Sequence, residues 1–193
     1  MSAWTDHVAR WKDCTKCPLH QQRDNIVLAR GQIPCDVLFV GEAPGASENA
    51  LGQPFVGPAG RLMDQIIERS LPPNMRYALT NLVCCFPADA KARGENEPEH
   101  NEIEACRPRL VDFVTLARPT LVVFVGRLSD SYGPWVVAPG VTCAGGVVEG
   151  HQTLRRWTSI VHPAAILRMP LAQKQMAVQK SVVVLRSAVA AMV

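Results

Sequence analysis

Two short apolar runs closed by glycine, Val37-Leu38-Phe39-Val40-Gly41 and Leu121-Val122-Val123-Phe124-Val125-Gly126, constrain the fold of this chain more than any other feature. Runs this short and uniformly apolar read as strands buried on both faces, as in a parallel sheet. Two further strands are expected over Tyr77–Val83 and Trp157–Val161. Helical spacing separates them. Leu62, Ile66 and Ile67 share one face of a helix from Ala59 to Ser70, which Pro72-Pro73 stops. Pro98 opens a second helix running to Ala117, with Glu99 and Glu102 near its positive end. A short helix is expected over 1–13 and a long one over about 170–191, with loops over 42–57, 86–97 and 127–150. Strands alternating with helices predict an α/β fold. The expectation is a single domain over 1–193, a three-layer α/β/α sandwich around a short, mostly parallel four-stranded sheet. In such sheets ligands bind outside the carboxyl ends of the strands. The Gly41–Gly45 loop, Asn81 and His162 all fall there.

Cysteine usage adds a second constraint. The chain has seven cysteines. Cys14 and Cys17 form a C-x-x-C pair, and Cys84, Cys85 and Cys106 follow far downstream. Four thiolates can hold an iron–sulfur cluster or a zinc ion. No apolar run approaches the ~20 residues of a membrane helix, and no basic region leads into an apolar stretch at the N-terminus. A cytoplasmic, monomeric protein without membrane association is expected, with thiols rather than disulfides. The net charge is only +3, yet fifteen Arg stand against five Lys. Arg grips phosphate in a bidentate fork, which hints at a nucleic acid; a GC-rich genome would give the same excess.

Six segments, in order, resemble the uracil-DNA glycosylase superfamily, most closely its iron–sulfur family 4. They are Cys-Thr-Lys-Cys-Pro-Leu (14–19), Gly-Glu-Ala-Pro-Gly (41–45), Gly-Gln-Pro-Phe-Val-Gly-Pro-Ala-Gly-Arg-Leu-Met-Asp (52–64), Thr-Asn-Leu-Val-Cys-Cys (80–85), Glu-Ala-Cys-Arg-Pro (104–108) and His-Pro-Ala-Ala-Ile-Leu-Arg (162–168). The resemblance implies a monofunctional glycosylase that flips uracil out of single- or double-stranded DNA and cuts its bond to deoxyribose.

It also implies roles. Phe55 would stack on the base, Asn81 would pair with its edge, and His162 would donate to O2 as charge develops there. Glu42 would orient water or stabilise the cationic sugar; bracing of the loop by Glu42 remains the alternative. Gly41 and Ala43 would line the base pocket, and Glu48 would lie near C5 and exclude thymine. Leu167 and Arg168 would enter the DNA as wedge and phosphate contact; the start of the last helix is the bland alternative. Cys14, Cys17, Cys85 and Cys106 would hold a [4Fe–4S] cluster. Strand alternation should aim only one of Cys84 and Cys85 at it, and zinc stays open.

Several departures bear on substrate. Asn49 replaces the usual acidic neighbour of Glu48, residues 88–97 form an insert, and Cys84-Cys85-Phe86-Pro87-Ala88 loses two positive charges of the family motif. Among the matched segments only the cysteine knuckle carries a Lys, Lys16, and none of those that would form the base pocket does, so water rather than an amine is the expected nucleophile. His100 near a mildly basic loop leaves a covalent DNA-binding reading open. Two alternatives to uracil excision follow: the same chemistry on a bulkier modified base, such as a modified cytosine of phage DNA, and a non-catalytic iron–sulfur DNA-binding module.

Overall fold

A computed structural model describes residues 2–88, 97–133 and 156–192. Five strands form one sheet: β1 (Arg30–Gly31), β2 (Val37–Gly41), β3 (Tyr77–Asn81), β4 (Leu121–Val125) and β5 (Arg156–Ile160), in the order β1-β3-β2-β4-β5. β2, β3, β4 and β5 are mutually parallel, and β1 runs antiparallel to β3. The fifth strand is the difference from the expected four. It is two residues long and carries no period-2 signal.

Alternation along the strands explains the layers. Leu38, Val40, Ala78, Val122 and Phe124 point into one apolar cluster; Val37, Phe39, Leu79, Leu121, Val123 and Val125 point into the other. The first cluster is closed by α1 (Ala3–Trp11) and α4 (His100–Ala117), through Trp11, Ile103, Leu110, Phe113 and Val114. The second is closed by α3 (Pro58–Ser70) and the C-terminal helix α7 (Leu171–Ala190), through Met63, Ile66, Ile67, Val182 and Leu185. This is the expected three-layer arrangement.

Three short helices lie where loops were expected or went unmarked. They are α2 (Ala46–Leu51), α5 (Arg127–Ser131) and α6 (Pro163–Leu167). Five or six residues are too few to show helical periodicity. The strand expected over 77–83 ends at Asn81, although the Leu82 and Val83 N–H groups still donate to the Gly41 and Glu42 carbonyls at 2.9 and 3.2 Å. Most of the 88–97 insert and most of 127–150 lie outside the described residues, as does Cys143. No helix among the described residues is long and apolar enough to cross a membrane.

Candidate active site

The chain leaves the central strand β2 for β3 on one side and then crosses to β4 on the other. The carboxyl ends of β2 and β4 therefore flank a topological switch point, where open α/β sheets form their binding crevice. A cavity of about 1000 Å³ opens there. Glu42, Ala43, Glu48, Phe55, Asn81, His162 and Arg168 all line it. These positions span 126 residues of sequence, and the topology gathers them at one edge of the sheet.

Asn81 ends β3 opposite Gly41 on β2. A Cβ at Gly41 would overlap the Asn81 side-chain oxygen and stand 2.6 Å from Phe55 Cζ. Only glycine lets the amide and the ring lie side by side. Among the described residues the Asn81 amide has no protein hydrogen-bond partner, which leaves it open to the cavity. Phe55 adopts φ 57°, in the left-handed region that non-glycine residues seldom enter. Two groups hold it there. Arg30 donates from Nε to the Pro54 carbonyl at 2.8 Å and from Nη2 to the Phe55 carbonyl at 3.1 Å, with Asp64 anchoring the guanidinium at 2.5 Å. Gly60 packs so closely that a Cβ would overlap the Phe55 carbonyl group.

Glu48 is a stitch between two wall segments. Oε2 accepts the Gly45 N–H at 3.1 Å, closing back over the first turn of α2, and Oε1 accepts from Val56 and Gly57 at 3.1 and 2.9 Å. Asn49 turns away from the cavity. It accepts the Asp24 N–H at 2.9 Å and donates to the Asp24 carboxylate at 2.6 Å. An acidic residue could not make that donation, so the departure at 49 serves the packing of residues 24–25 and leaves the pocket wall untouched.

Glu42 and His162 face each other across Gly126. A Cβ at Gly126, which has φ 106°, would overlap Glu42 Oε1 and lie 3.2 Å from His162 Cβ. Glu42 Oε1 accepts the Leu128 N–H at 3.2 Å; among the described residues its other oxygen accepts no hydrogen bond. Burial raises the Glu42 carboxyl above its ordinary value, against the lowering pull of the Leu128 N–H. His162 caps α6, and its Nδ1 accepts the Ala164 N–H at 3.2 Å. Burial, then the Arg168 charge, lowers its imidazole to about 4. The ring is neutral, with its one proton on Nε2. It lies 6.4 Å from the Phe55 ring at an interplanar angle of 29°.

The rim is basic and partly apolar. Arg168, Arg127 and Lys180 line the cavity mouth, and Leu167 is 37% exposed beside the buried Ile166. α6 is a separate helix, broken from α7 at Pro170, so 167–168 is not simply the start of the last helix. His100 bonds Tyr132 at 2.7 Å and does not line the cavity.

The cysteines meet behind β3. Cys84, Cys85 and Cys106 are buried and Cys14 and Cys17 half-buried, all in or against one apolar cluster. Because β3 ends at Asn81, strand alternation does not apply at 84–85, and both thiols reach the group; the expectation that only one would is corrected. Cys84 Sγ lies 3.5 Å from Cys106 Sγ. Arg23 Nη1 bridges Cys85 Sγ at 3.2 Å and the Cys14 carbonyl at 2.7 Å. Hydrogen bonding from Cys84 draws the Cys85 and Cys106 thiols down and pushes Cys84 itself up, and Arg23 and Arg109 add to the lowering. Burial holds Cys17 at about 11. Among the described residues no three such side chains converge tightly enough to hold a single metal ion. In donor type, number and apolar enclosure, Cys14, Cys17, Cys85 and Cys106 fit a four-thiolate cluster.

Sequence reasoning missed Arg30, Arg109 and Arg127. Each acts through a long side chain, with partners far away in sequence for Arg30 and Arg109, and a local motif records only the side chain's origin.

Among known proteins, type-4 uracil-DNA glycosylase of Pyrobaculum aerophilum is 35% identical over 167 residues, 82% of each chain. That of Archaeoglobus fulgidus is 30% identical over 176 residues, covering 88% of this chain and 86% of the relative. That of Saccharolobus solfataricus is 38% identical over 122 residues, 63% of this chain and 54% of the relative. The family description that matches residues 29–186 takes in every cavity-lining residue named above, and on that match the chain belongs to the uracil DNA glycosylase superfamily.

Proposed function

We propose that this chain is a monofunctional DNA glycosylase that hydrolyses the N-glycosidic bond of uracil in DNA, the opening step of base-excision repair. The flipped base stacks on Phe55 over Gly41 and Ala43, and the Asn81 amide pairs with its O4 and N3 edge. The His162 Nε2–H donates to O2 as the C1′–N1 bond breaks and negative charge moves onto the ring. Water adds to C1′ from the opposite side, and its proton passes to the Glu42 carboxylate. Uracil leaves as the N1 anion and an abasic site remains. Glu48 holds the wall beside the base, where it limits room at C5. Leu167 fills the gap in the stack, with Arg168 on a flanking phosphate.

Cys14, Cys17, Cys85 and Cys106 hold a [4Fe–4S] cluster. When bound, that group staples the N-terminal knuckle to α4 and carries no step of the hydrolysis.

The observation that carries this reading is the Ala164 N–H donated to His162 Nδ1: it leaves Nε2 as the donor nitrogen of a ring that lines the cavity, 6.4 Å from the Phe55 ring. The test is a gel assay on oligonucleotides carrying uracil or a bulky modified cytosine. Cleavage at uracil only after alkali, lost in Asn81→Ala, is the expected result. Strand breaks without alkali would point to an amine nucleophile such as Lys180, and cleavage only at the modified cytosine would move the substrate to that base.

A further inference from the structure

Arg109 heads the fully buried side chains of the protein, at 1% exposure. It leaves α4 one turn after Cys106 and ends under the carboxyl end of β3. Nη1 donates to Thr80 Oγ1 at 2.9 Å. Nη2 donates to the Asn81 and Leu82 carbonyls at 2.7 and 2.9 Å and stands 3.7 Å from Cys106 Sγ. Thr80 in turn donates to the Leu28 carbonyl at 2.7 Å.

This grip falls where the base-facing amide has no other means of being aimed. The Asn81 side chain is held by no protein hydrogen bond among the described residues, so its direction follows the backbone at 80–82. That backbone is fixed on one side by the Leu82 N–H to the Gly41 carbonyl at 2.9 Å. On the other it is fixed by the two carbonyl contacts of Arg109. A guanidinium presents its N–H groups in one rigid plane, so three acceptors are held in a constant relation; an ammonium can reach only part of that set. The same Nη2 reaches Cys106 Sγ at 3.7 Å, so one guanidinium touches both the backbone behind Asn81 and a cysteine of the cluster region.

We propose that Arg109 is a positioning residue: its guanidinium fixes the Asn81 carbonyl, and with it the base-reading amide, while tying that register to the Cys106 side chain. The role assigned to Asn81 rests on the glycosylase reading above. The cysteine site and the base pocket thereby share one side chain, and the fold of the cluster region sets the aim of an amide at the other end of the guanidinium.

The test compares the cluster-loaded wild type with Arg109→Met, Arg109→Lys and Thr80→Val. It reads kcat and KM on a uracil oligonucleotide, iron per chain, and deuterium uptake of the peptide spanning 78–83. Misaimed reacting groups cost rate rather than affinity, so Arg109→Met should lose about 30- to 100-fold in kcat with KM within about threefold. Arg109→Lys should recover roughly tenfold of that loss, and uptake at 81–83 should rise in the Met variant. A folded Arg109→Met protein with wild-type kcat overturns the proposal. So does a Lys variant no better than Met, or a loss that vanishes when rate is expressed per iron-loaded chain. Should Arg109→Met fail to fold, full activity in both Arg109→Lys and Thr80→Val overturns it. A wild type that leaves uracil uncut while deuterium uptake responds as expected would sink the glycosylase reading and leave the contact standing.

Discussion

Protonation of single side chains decides the chemistry at this site. With its imidazole lowered to about 4 by burial and then by Arg168, His162 stays neutral through the pH range in which such an ordinary ring would titrate. Loss of activity near pH 6.5 is therefore not expected from it. Glu42 behaves in the opposite sense. Burial raises its carboxyl, so the carboxylate proposed to accept the water proton disappears at a higher pH than for an exposed Glu as the solution is acidified. The kcat profile should fall on the acid side through that raised value, and Glu42→Gln should be uniformly slow with no acid limb. Replacing His162 by Ala should lower kcat by about 10²–10³-fold, the usual cost of one donor aimed at developing negative charge. Single-turnover rates across pH 4.5–8 check both. Asn81 and His162 were legible as site positions because they follow strand ends, while Phe55 and the roles of all three came from the resemblance to the superfamily. Arg30 and Arg109 were not legible, since their partners lie 24 to 34 and 27 to 29 residues away.

Short helices and a two-residue strand hold much of the site, and these were the least legible. α2 looked like loop because Ala46–Leu51 is too short for a helical apolar stripe; its one signal is Glu48 three residues after Gly45, a spacing typical of a first-turn cap. β1 is only Arg30–Gly31, yet it supplies the guanidinium that keeps Phe55 at positive φ. A non-glycine residue in that region costs about 1–2 kcal/mol. Arg30→Met removes the restraint and lets the 54–56 backbone relax. KM for uracil DNA should rise about tenfold as the stacking ring loses its fixed place. The melting temperature should change little, because the pair with Asp64 is half-exposed. The five-residue strands β2 and β4 were read well because they are buried on both faces, and α3 because it carries an apolar stripe.

At the scale of the whole molecule, the apolar layers keep two imidazoles neutral. His7, between α1 and α4, is lowered to about 4 by burial, then by Arg109, as His162 is by its own surroundings. Between pH 6.5 and 4 the unfolded chain binds more protons at these positions than the native chain. Stability therefore falls as pH drops through that window and the loss is complete below about 4. The contribution of His7 is at most about 3 kcal/mol. His7→Phe isolates it from the opposing effect of Glu42: chemical denaturation should show the wild type losing ground to the variant from pH 6.5 to 4, with a constant difference above 7.

The switch-point topology has a consequence for how the protein comes into being. Glu42 and His162 stand on either side of one glycine, but a ribosome adds 120 residues between them. At ~5–20 residues per second that is roughly 6–24 s of synthesis. Until Val125 has been added, β2, the central strand of the finished sheet, has no β4 to pair with along one side. A nascent chain released before α6 has emerged would hold Phe55 and Asn81 but lack His162. On the proposed mechanism, catalytic competence thus arrives late, when most of the chain has already been made.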